Sequence, residues 1–283
     1  MGPGAQARML PDGRRLHLNH GPIDLIVEAF GRDREQALAR AEARFATLLD
    51  ELVAELTLLR RPLGAQRPEG AVARRMAAAV APFSEVFVTP MAAVAGAVAD
   101  EVLAAMVAGL RLERAYVNNG GDIAVHLAPG QTLVASLQAG GEAGRVRLSA
   151  GRPGRGLATS GRGGRSHSLG IADAVSVVAQ NAAAADAAAT LIANAVDLPG
   201  HVSISRRPAR ELSPDSDLGD RLVTTGLGAL QPDEVARALA RGATAAEAMR
   251  SRGLIAAAAL LLRGQARLVG AFPALQPAKG SAG

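Results

Sequence analysis

Residues 156–196 read GLATSGRGGRSHSLGIADAVSVVAQNAAAADAAATLIANAV, and the interpretation of the whole chain starts from this stretch. A loop rich in glycine and arginine leads into the apolar run 174–179, which is typical of a buried strand. An alanine-rich helix is predicted to follow. Within it Asp186 and Thr190 are four residues apart, so their side chains lie on one helix face. Hard cations such as Mg²⁺ take oxygen ligands of this kind, usually together with substrate phosphates.

The composition is that of a globular protein. The chain has 283 residues, of which 49% are hydrophobic and 20% charged. This length suits one large domain or two small ones. Aromatic residues make up only 2%, and there is no tryptophan. The core must therefore be built from alanine, valine and leucine.

The positive charge points to phosphate groups more than to nucleic acid. The formal net charge is +5, and Lys279 is the only lysine among 31 basic residues. Arginine binds phosphate through two parallel hydrogen bonds. The charges are spread along the chain, and the shortage of aromatics argues against a surface on which bases stack. We expect a phosphorylated small molecule as the ligand and no nucleic acid.

The absence of cysteine excludes disulfides and thiolate metal sites. The first ten residues lack the apolar core of a signal peptide. The apolar run 253–262 is too short to span a bilayer. We therefore expect a soluble cytoplasmic protein without a membrane span, and a homo-oligomer is compatible with the sequence.

The order of apolar patterns predicts an α+β fold, in which antiparallel sheets pack against long helices. We expect a loose leader over residues 1–12, one domain over 13–272 and a flexible tail over 273–283. The region 206–220 is predicted as a loop, and the pattern of 222–228 is ambiguous. Strands are predicted at 14–20, 23–30, 114–117, 123–127, 133–139, 145–148, 157–159, 174–179, 202–205, 254–262 and 266–271. Helices are predicted at 33–60, 71–81, 89–109 and 232–252, besides the alanine-rich helix.

The helix predicted over 89–109 is nearly all small and apolar, so we place it in the interior. Asp100 and Glu101 are its only charges, and we interpret them as a polar flank. Residues 118–122 read NNGGD and lie between two apolar runs. Such a cluster is first of all typical of a hairpin turn.

The order of several motifs indicates a family. They are TPMAAVAGA at 89–97, NNGGDI at 118–123, TSG at 159–161, ADAV at 172–175 and DAAAT at 186–190. In this order and spacing they resemble the ApbE superfamily, whose characterised members are FAD:protein FMN transferases. The chain is most similar to the shorter ApbE-like branch. The resemblance covers roughly residues 15–272 and is densest between 89 and 196.

The resemblance implies antiparallel sheets backed by long helices, related to the tunnelling fold. It also implies a cleft for FAD, with Mg²⁺ at the pyrophosphate. Asp186 and Thr190 match the side chains that bind the metal, and Ala92 matches a position that offers its backbone carbonyl. The residues expected to contact the cofactor are Asn118, Gly120, Gly121, Asp122, Thr159, Ser160, Gly161 and Arg162.

The implied reaction moves FMN from FAD to a Thr or Ser hydroxyl of an acceptor protein and releases AMP. Backbone N–H groups of the 160–164 loop, with Arg162 or Arg165, would hold phosphate oxygens. A histidine titrates near neutrality, so His167 is the candidate for taking the hydroxyl proton. This last role comes from chemistry alone, without a counterpart in the family motifs.

Each motif also has a structural interpretation. Asp186 lies near a helix start, where a carboxylate is stabilising without any metal. The loop rich in glycine and arginine is typical of a protein surface. His167 suits a hydrogen-bonded loop position, and Asp173 suits a turn or the start of a strand.

Two hypotheses about function follow. The first is an enzyme that depends on Mg²⁺, either a flavin-nucleotide phosphotransferase that transfers FMN or a hydrolase that splits FAD. The second is a non-catalytic ApbE-like protein that binds another phosphorylated metabolite or serves as an assembly subunit. The second is favoured by Ala95, which stands where the transferases carry lysine. It is also favoured by residues 166–170, which replace a longer family motif that contains histidine.

Overall fold

Antiparallel strands and long helices alternate along the chain in the computed structural model, which describes residues 4–139, 142–164, 166–271 and 276–277. The strands are β1 Gln6–Met9, β2 Leu16–His20, β3 Ile23–Phe30, β4 Arg114–Asn119, β5 Asp122–Leu127, β6 Thr132–Ala139, β7 Glu142–Ser149, β8 Gly156–Ser160, β9 Ala174–Ala179, β10 Ile204–Pro208, β11 Leu222–Leu227, β12 Ile255–Leu262, β13 Gln265–Val269 and β14 Gln276–Pro277. The α-helices are α1 Arg34–Ala54, α2 Leu56–Leu59, α3 Ala71–Val80, α4 Val94–Val107, α5 Ala182–Ala195, α6 Ala209–Leu212 and α7 Pro232–Ser251. The predicted α+β class is confirmed.

Backbone contacts divide the chain into two compact units. The first comprises Met1–Leu133, Ser149–Ala158 and Ala179–Ala187. The second comprises Val134–Leu148, Thr159–Val178 and Ala188–Gly283. Each unit consists of segments that are far apart in the sequence. No single linker could therefore have indicated where one unit ends and the other begins. The predicted boundaries after residues 12 and 272 stay predictions.

The first unit is built on an antiparallel meander in the order β1-β2-β3-β4-β5-β8. Side chains alternate between its two faces because successive residues of a strand point in opposite directions. Leu18, Leu25, Val27, Ala115 and Val117 are fully buried on one face. Helices α1 and α4 pack against the central strands and against each other. The core of this unit therefore lies between sheet and helices.

Helix α4 is an interior helix, as predicted. Its residues 96–100 are buried, and a 3₁₀ turn, Pro90–Ala93, precedes it. The 18-residue stretch Pro90–Val107 is the one described helical stretch that is long and apolar enough to cross a membrane by length and composition, and 44% of it is buried in the protein. It is longer than the run 253–262 that the sequence analysis singled out. Core helices of soluble proteins meet the same criterion.

The second unit contains three groups of paired strands, in the orders β9-β12-β13, β10-β11 and β14-β7-β6. Helix α7 packs against β12 and β13. A capping box starts the helix, in which Gln231 and Glu234 satisfy each other's backbone N–H groups. Gly242 lets α7 approach closely, since a Cβ there would lie 2.3 Å from Cγ2 of Val196.

Three parts of the sequence prediction need correction. Residues 6–9 form strand β1 and not a loose leader. All four residues are exposed, so the sequence has no alternation of apolar and polar residues that would predict a strand there. Residues 209–212 form helix α6 inside the predicted loop. The segment 222–228, which the sequence left ambiguous, contains strand β11, and this strand pairs with β10. In the predicted tail, Gln276 and Pro277 pair with β7, while the rest of 272–283 lies outside the described residues.

Candidate functional site

The NNGGD cluster forms the hairpin turn between β4 and β5, as predicted. Asn119 pairs with Asp122, which leaves Gly120 and Gly121 as the two turn residues. Their φ angles are 63° and 116°, in the left-handed region that favours glycine. The backbone N–H of Gly121 donates to Oδ1 of Asn118 over 2.8 Å, which fixes the turn. The turn residues predicted to contact a cofactor are thus held on a rigid hairpin.

Helices α4 and α5 cap each other through carboxylates. Asp186 of α5 accepts a hydrogen bond from the N–H of Gly96, in the first turn of α4, over 3.0 Å. Asp100 of α4 accepts from the N–H groups of Ala182 and Ala183, which begin α5, over 3.0 and 2.8 Å. The first N–H groups of a helix have no partner inside the helix and carry partial positive charge. Each acid therefore stabilises the start of the other helix.

Glycine makes this close approach of the two helices feasible. A Cβ at position 96 would lie 2.3 Å from the carbonyl oxygen of Ala182. A Cβ at Gly156, in strand β8, would lie 1.9 Å from the carbonyl carbon of Asn181. The start of α5 is thus held between two glycines. Asn181 caps the helix locally, since its Oδ1 accepts from the N–H of Ala184 over 2.8 Å.

The carboxyl group of Asp186 lies in an environment that opposes its ionisation. Burial raises its pKa well above the usual range, and the nearby charges of Asp122 and Asp100 raise it further. The N–H groups of Gly96 and Ala95 act in the opposite direction and lower the pKa, but they do not offset the burial. A buried group next to like charges is the arrangement that a bound cation would relieve.

Asp100 is more than the polar flank that the sequence predicted. Its side chain is buried, with 8% of the residue exposed. Burial raises the pKa of its carboxyl group, while the hydrogen bonds from Ala183 and Ala182 and the charge of Arg75 lower it. The neighbouring Glu101 fits the predicted flank better, because it forms ion pairs with Arg44 and Arg75 over 3.0 and 2.8 Å.

At the start of α4, both backbone polar groups of Ala95 are hydrogen-bonded to side chains of the protein. The N–H of Ala95 hydrogen-bonds to Asp186, and its carbonyl accepts from Nδ2 of Asn119 over 3.1 Å. Ala92, the predicted carbonyl ligand, lies in the preceding 3₁₀ turn, where its N–H donates to the oxygen of Thr89 over 3.1 Å. Ala92, Ala95, Asn119 and Asp186 all belong to the first unit.

A second set of predicted site residues lies in the second unit. Oγ1 of Thr190 is 3.5 Å from Oγ of Ser160. The hydroxyls of Thr159 and Ser176 are 2.8 Å apart, inside neighbouring strands. Thr190 lies one turn after Asp186 on α5, as the spacing predicted. The structure thus brings Ser160 and Thr190 together.

The glycine loop of this unit holds an arginine in a polar setting. Nη2 of Arg162 lies 3.3 Å from Oδ1 of Asp173, whose other oxygen accepts from the backbone N–H of Arg263 over 2.5 Å. Nε of Arg162 is buried without a partner among the described residues. Buried N–H groups rarely stay unpaired, so we expect this one to donate a hydrogen bond to water or to an anion. Asp173 therefore connects the side chain of Arg162 with the backbone of Arg263, besides lying directly before strand β9.

His167 lies on the protein surface. Its Nε2 is 3.2 Å from Oγ of Ser213 and it is exposed to solvent. This agrees with the interpretation of His167 as a hydrogen-bonded loop residue, and its predicted role as a base stays a prediction. Arg165, the other predicted phosphate ligand, lies outside the described residues.

The small residues of the 89–109 segment, Gly96 among them, predict the close approach of another backbone, which the structure confirms. Sequence reasoning missed the same role for Gly156 and the cross-helix caps. Asn181 carried a readable signal, because asparagine directly before an alanine run is typical of an N-cap. The partners of Gly96 and Asp100 could not be predicted, since they lie more than 80 positions away along the chain. Only the packing of α4 against α5 reveals them.

We expect the substitution Asp186→Asn to change how stability depends on pH in metal-free buffer. Because the pKa of Asp186 is raised in the folded protein, its favourable contribution is complete below the ordinary carboxyl range and is lost as the pH rises through the folded-state pKa. Asparagine does not ionise, so the variant does not lose this contribution. From acidic to neutral pH, the unfolding free energy of the variant should therefore rise relative to that of the wild type. Urea unfolding with EDTA at several pH values measures this, with the exposed Asp215→Asn as control. A constant difference across that range would contradict it.

Within the described residues, no group of three or more His, Cys, Asp or Glu side chains is placed to hold a metal ion. A magnesium site here would thus resemble those that use one or two carboxylates together with ligand phosphates. The candidate acids in the first unit are Asp186 and Asp122.

Comparison with known proteins places these motifs in a family. The family described as AbpE bacteria matches residues 7–268. A UPF0280 protein of Methanopyrus kandleri is 34% identical over 177 residues, which are 60% of this chain and 69% of that protein. UPF0280 proteins of Methanothrix thermoacetophila and Methanothermobacter thermautotrophicus are each 40% identical, over 114 and 121 residues.

The matched segments cover 38% and 41% of this chain for the last two relatives, and 46% of each relative's own length. The AbpE match, in contrast, spans nearly the whole chain and includes every motif from the hairpin turn to helix α5. The chain belongs to the ApbE-related family described as AbpE bacteria, and its relatives include UPF0280 proteins.

Proposed function

We propose that this protein binds a flavin nucleotide with Mg²⁺ and transfers FMN from FAD to a Thr or Ser hydroxyl of an acceptor protein. Membership in an ApbE-related family supports a flavin-related function. The observation that carries the metal assignment is the carboxyl group of Asp186, which is buried near the charge of Asp122. Such a group is costly in the absence of a counter-charge.

The available donors fit a hard cation. The carboxylates of Asp186 and Asp122, the hydroxyl of Thr190 and the carbonyl of Ala92 are all oxygen ligands, and Mg²⁺ prefers oxygen. A bound Mg²⁺ would neutralise charge on the pyrophosphate of FAD. The protein's own contribution is to keep Asp186 in place through the N–H groups of Ala95 and Gly96.

The proposed reaction is a phosphoryl-type transfer. The acceptor hydroxyl oxygen forms a bond to the FMN phosphorus, the pyrophosphate bond to AMP breaks, and the hydroxyl proton passes to a base. Arg162, with its unpaired buried Nε, is the proposed ligand for phosphate oxygens. His167 is the candidate base. The turn residues Gly120 and Gly121 are proposed to approach the flavin, since glycine lets a ligand lie close to the backbone.

Isothermal titration tests this proposal. We expect the wild-type protein to bind FAD in the presence of Mg²⁺ and to bind it much more weakly with EDTA. Asp186→Asn should weaken Mg²⁺-dependent binding at least about tenfold, because it removes a charged ligand. Asp215→Asn, on an exposed loop, should bind as the wild type does. If the wild type binds no flavin nucleotide, or if Asp186→Asn binds equally well, the proposed metal site is wrong.

A non-catalytic function is the second candidate, and a specific observation favours it. Ala95 replaces the lysine of the transferases, and the peptide groups on both sides of it are hydrogen-bonded within the protein. No side chain is left there to act on a ligand. Native mass spectrometry of freshly purified protein separates the two functions. A co-purifying flavin supports the transferase, and a different phosphorylated metabolite supports the binding protein.

A further inference from the structure

We infer that a cavity in the second unit binds a phosphate monoester with an apolar organic body. The cavity has a volume of about 600 Å³. This lies within the range of small-molecule sites, roughly 300–1,000 Å³. None of its lining residues belongs to the proposed flavin site. Its lining residues are Leu198, Pro199, Gly200, His201, Arg237, Ala240 and Arg241.

Two guanidinium groups supply the positive charge. Arg237 and Arg241 are four residues apart on α7, so both project from the same face of the helix. Like charges at this spacing destabilise a helix slightly, which a bound anion would reverse. Arginine pairs suit phosphate because each guanidinium can donate two parallel hydrogen bonds.

The competing partners of these arginines are weak. Within the part of the chain that the structure describes, Arg237 has one ion pair, to Asp233 over 3.3 Å, and both side chains are more than half exposed. Exposed pairs of this kind contribute little and exchange readily. Arg241 is exposed and forms no ion pair among the described residues, so its charge is available to a ligand.

His201 lines the cavity, and both of its ring nitrogens have partners within the protein. Its Nδ1 accepts from the N–H of Ser203 over 3.2 Å, and its Nε2 lies 2.8 Å from Oε1 of Glu234. An imidazole that accepts at Nδ1 must carry its proton at Nε2, so it donates to the carboxylate. Both nitrogens are therefore engaged inside the protein, and neither is needed by the ligand.

The remaining walls select the rest of the ligand. The lining surface of the cavity is mostly apolar, with Leu198, Pro199 and Ala240 as its contributors beside the arginines. An inorganic anion alone would leave this surface in contact with water. A monoester whose organic part covers the apolar wall, while its phosphate meets Arg237 and Arg241, uses both features. A mononucleotide is a ligand of this chemistry.

Isothermal titration with AMP, in EDTA and on the Asp186→Asn protein, tests this site separately from the flavin site. We expect AMP to bind and adenosine to bind at least about tenfold more weakly, because adenosine lacks the phosphate. Arg241→Gln should weaken AMP binding by a similar factor, and the double variant with Arg237→Gln should abolish the preference for AMP. Arg250→Gln, on the same helix outside the cavity, is the matched control.

Two results would overturn the inference. One is equal binding of AMP by the folded Arg241→Gln variant and by its parent. The other is equal binding of AMP and adenosine by the protein with both arginines intact. Because Arg237 and Arg241 are exposed, their substitution should leave the melting temperature unchanged, which circular dichroism checks. AMP binding that persists after Asp186→Asn but disappears in the arginine variants supports this site even if the protein proves unable to bind FAD.

Discussion

Gly156→Ala should destabilise the protein by about 3 kcal/mol or more, because overpacking a rigid interior is costly. The added methyl group would lie 1.9 Å from the carbonyl carbon of Asn181 and 2.2 Å from the backbone nitrogen of Ala182. Both atoms belong to the backbone at the start of α5, so no side-chain rotation can relieve the collision. Chemical denaturation measures the loss in unfolding free energy.

Gly96→Ala is the companion test on the other side of the same turn. Within a helix, alanine is ordinarily more favourable than glycine by about 1 kcal/mol. Here the methyl group would lie 2.3 Å from the carbonyl oxygen of Ala182, so we expect destabilisation instead of that gain. Gly151→Ala is the control, since a Cβ there has no atom within 4 Å. A stabilising Gly96→Ala would contradict the close packing of α4 against α5.

Local patterns in the sequence were sufficient for much of the fold. The buried residues of α1, among them Leu38, Phe45 and Leu52, recur at helical spacing, and the helix follows from that spacing. Gly120 and Gly121 predicted their turn because the two-residue turns that suit hairpins require positive φ angles, which glycine adopts readily. Strand β1 carried no such pattern, since its partner supplies the pairing and its own side chains all face solvent.

The candidate site could be predicted only in part. Asp186 and Thr190 were found because their spacing is local, and the helix places them one turn apart. The role of Asp100 depends on contacts with residues 182 and 183 that the chain brings together only in the fold. The environment that raises the pKa of Asp186 is likewise non-local, because it requires burial and the charge of Asp122. Residue types alone were therefore sufficient to suggest metal ligands. The pKa of each carboxyl group, in contrast, depends on how the fold packs around it.

Asp100→Ala should be the most damaging change to a charged residue in this region, with a loss of about 2–4 kcal/mol, because two buried N–H groups would lose their acceptor. These are the N–H groups of Ala182 and Ala183. Removal of a buried carboxylate also ends its own desolvation cost, which keeps the loss below the sum of two charge-assisted bonds. Asp100→Asn retains one acceptor oxygen and should fall between the wild type and the alanine variant.

Glu101→Ala is the matched comparison, since Glu101 is the next residue of the same helix and was predicted to play the same part. Arg44 keeps its ion pair with Glu51 when Glu101 is removed, and the side chain of Arg75 is 38% exposed, so it can regain water. We therefore expect a smaller loss, of about 1 kcal/mol. Thermal and urea unfolding of the variants measure which substitution causes the larger loss of stability. Equal losses for the two substitutions would contradict the capping role of Asp100.

The same variant connects stability with the proposed site. Asp100 fixes the first turn of α5, and Asp186 follows one turn later on that helix. If Asp100 positions Asp186, the folded Asp100→Ala protein should also bind FAD and Mg²⁺ more weakly, although Asp100 itself need not touch the ligand. In a double-mutant cycle the effects of Asp100→Ala and Asp186→Asn on binding should then be smaller together than their sum. Full additivity would indicate that the two caps act independently, and Asp100 would serve the fold alone.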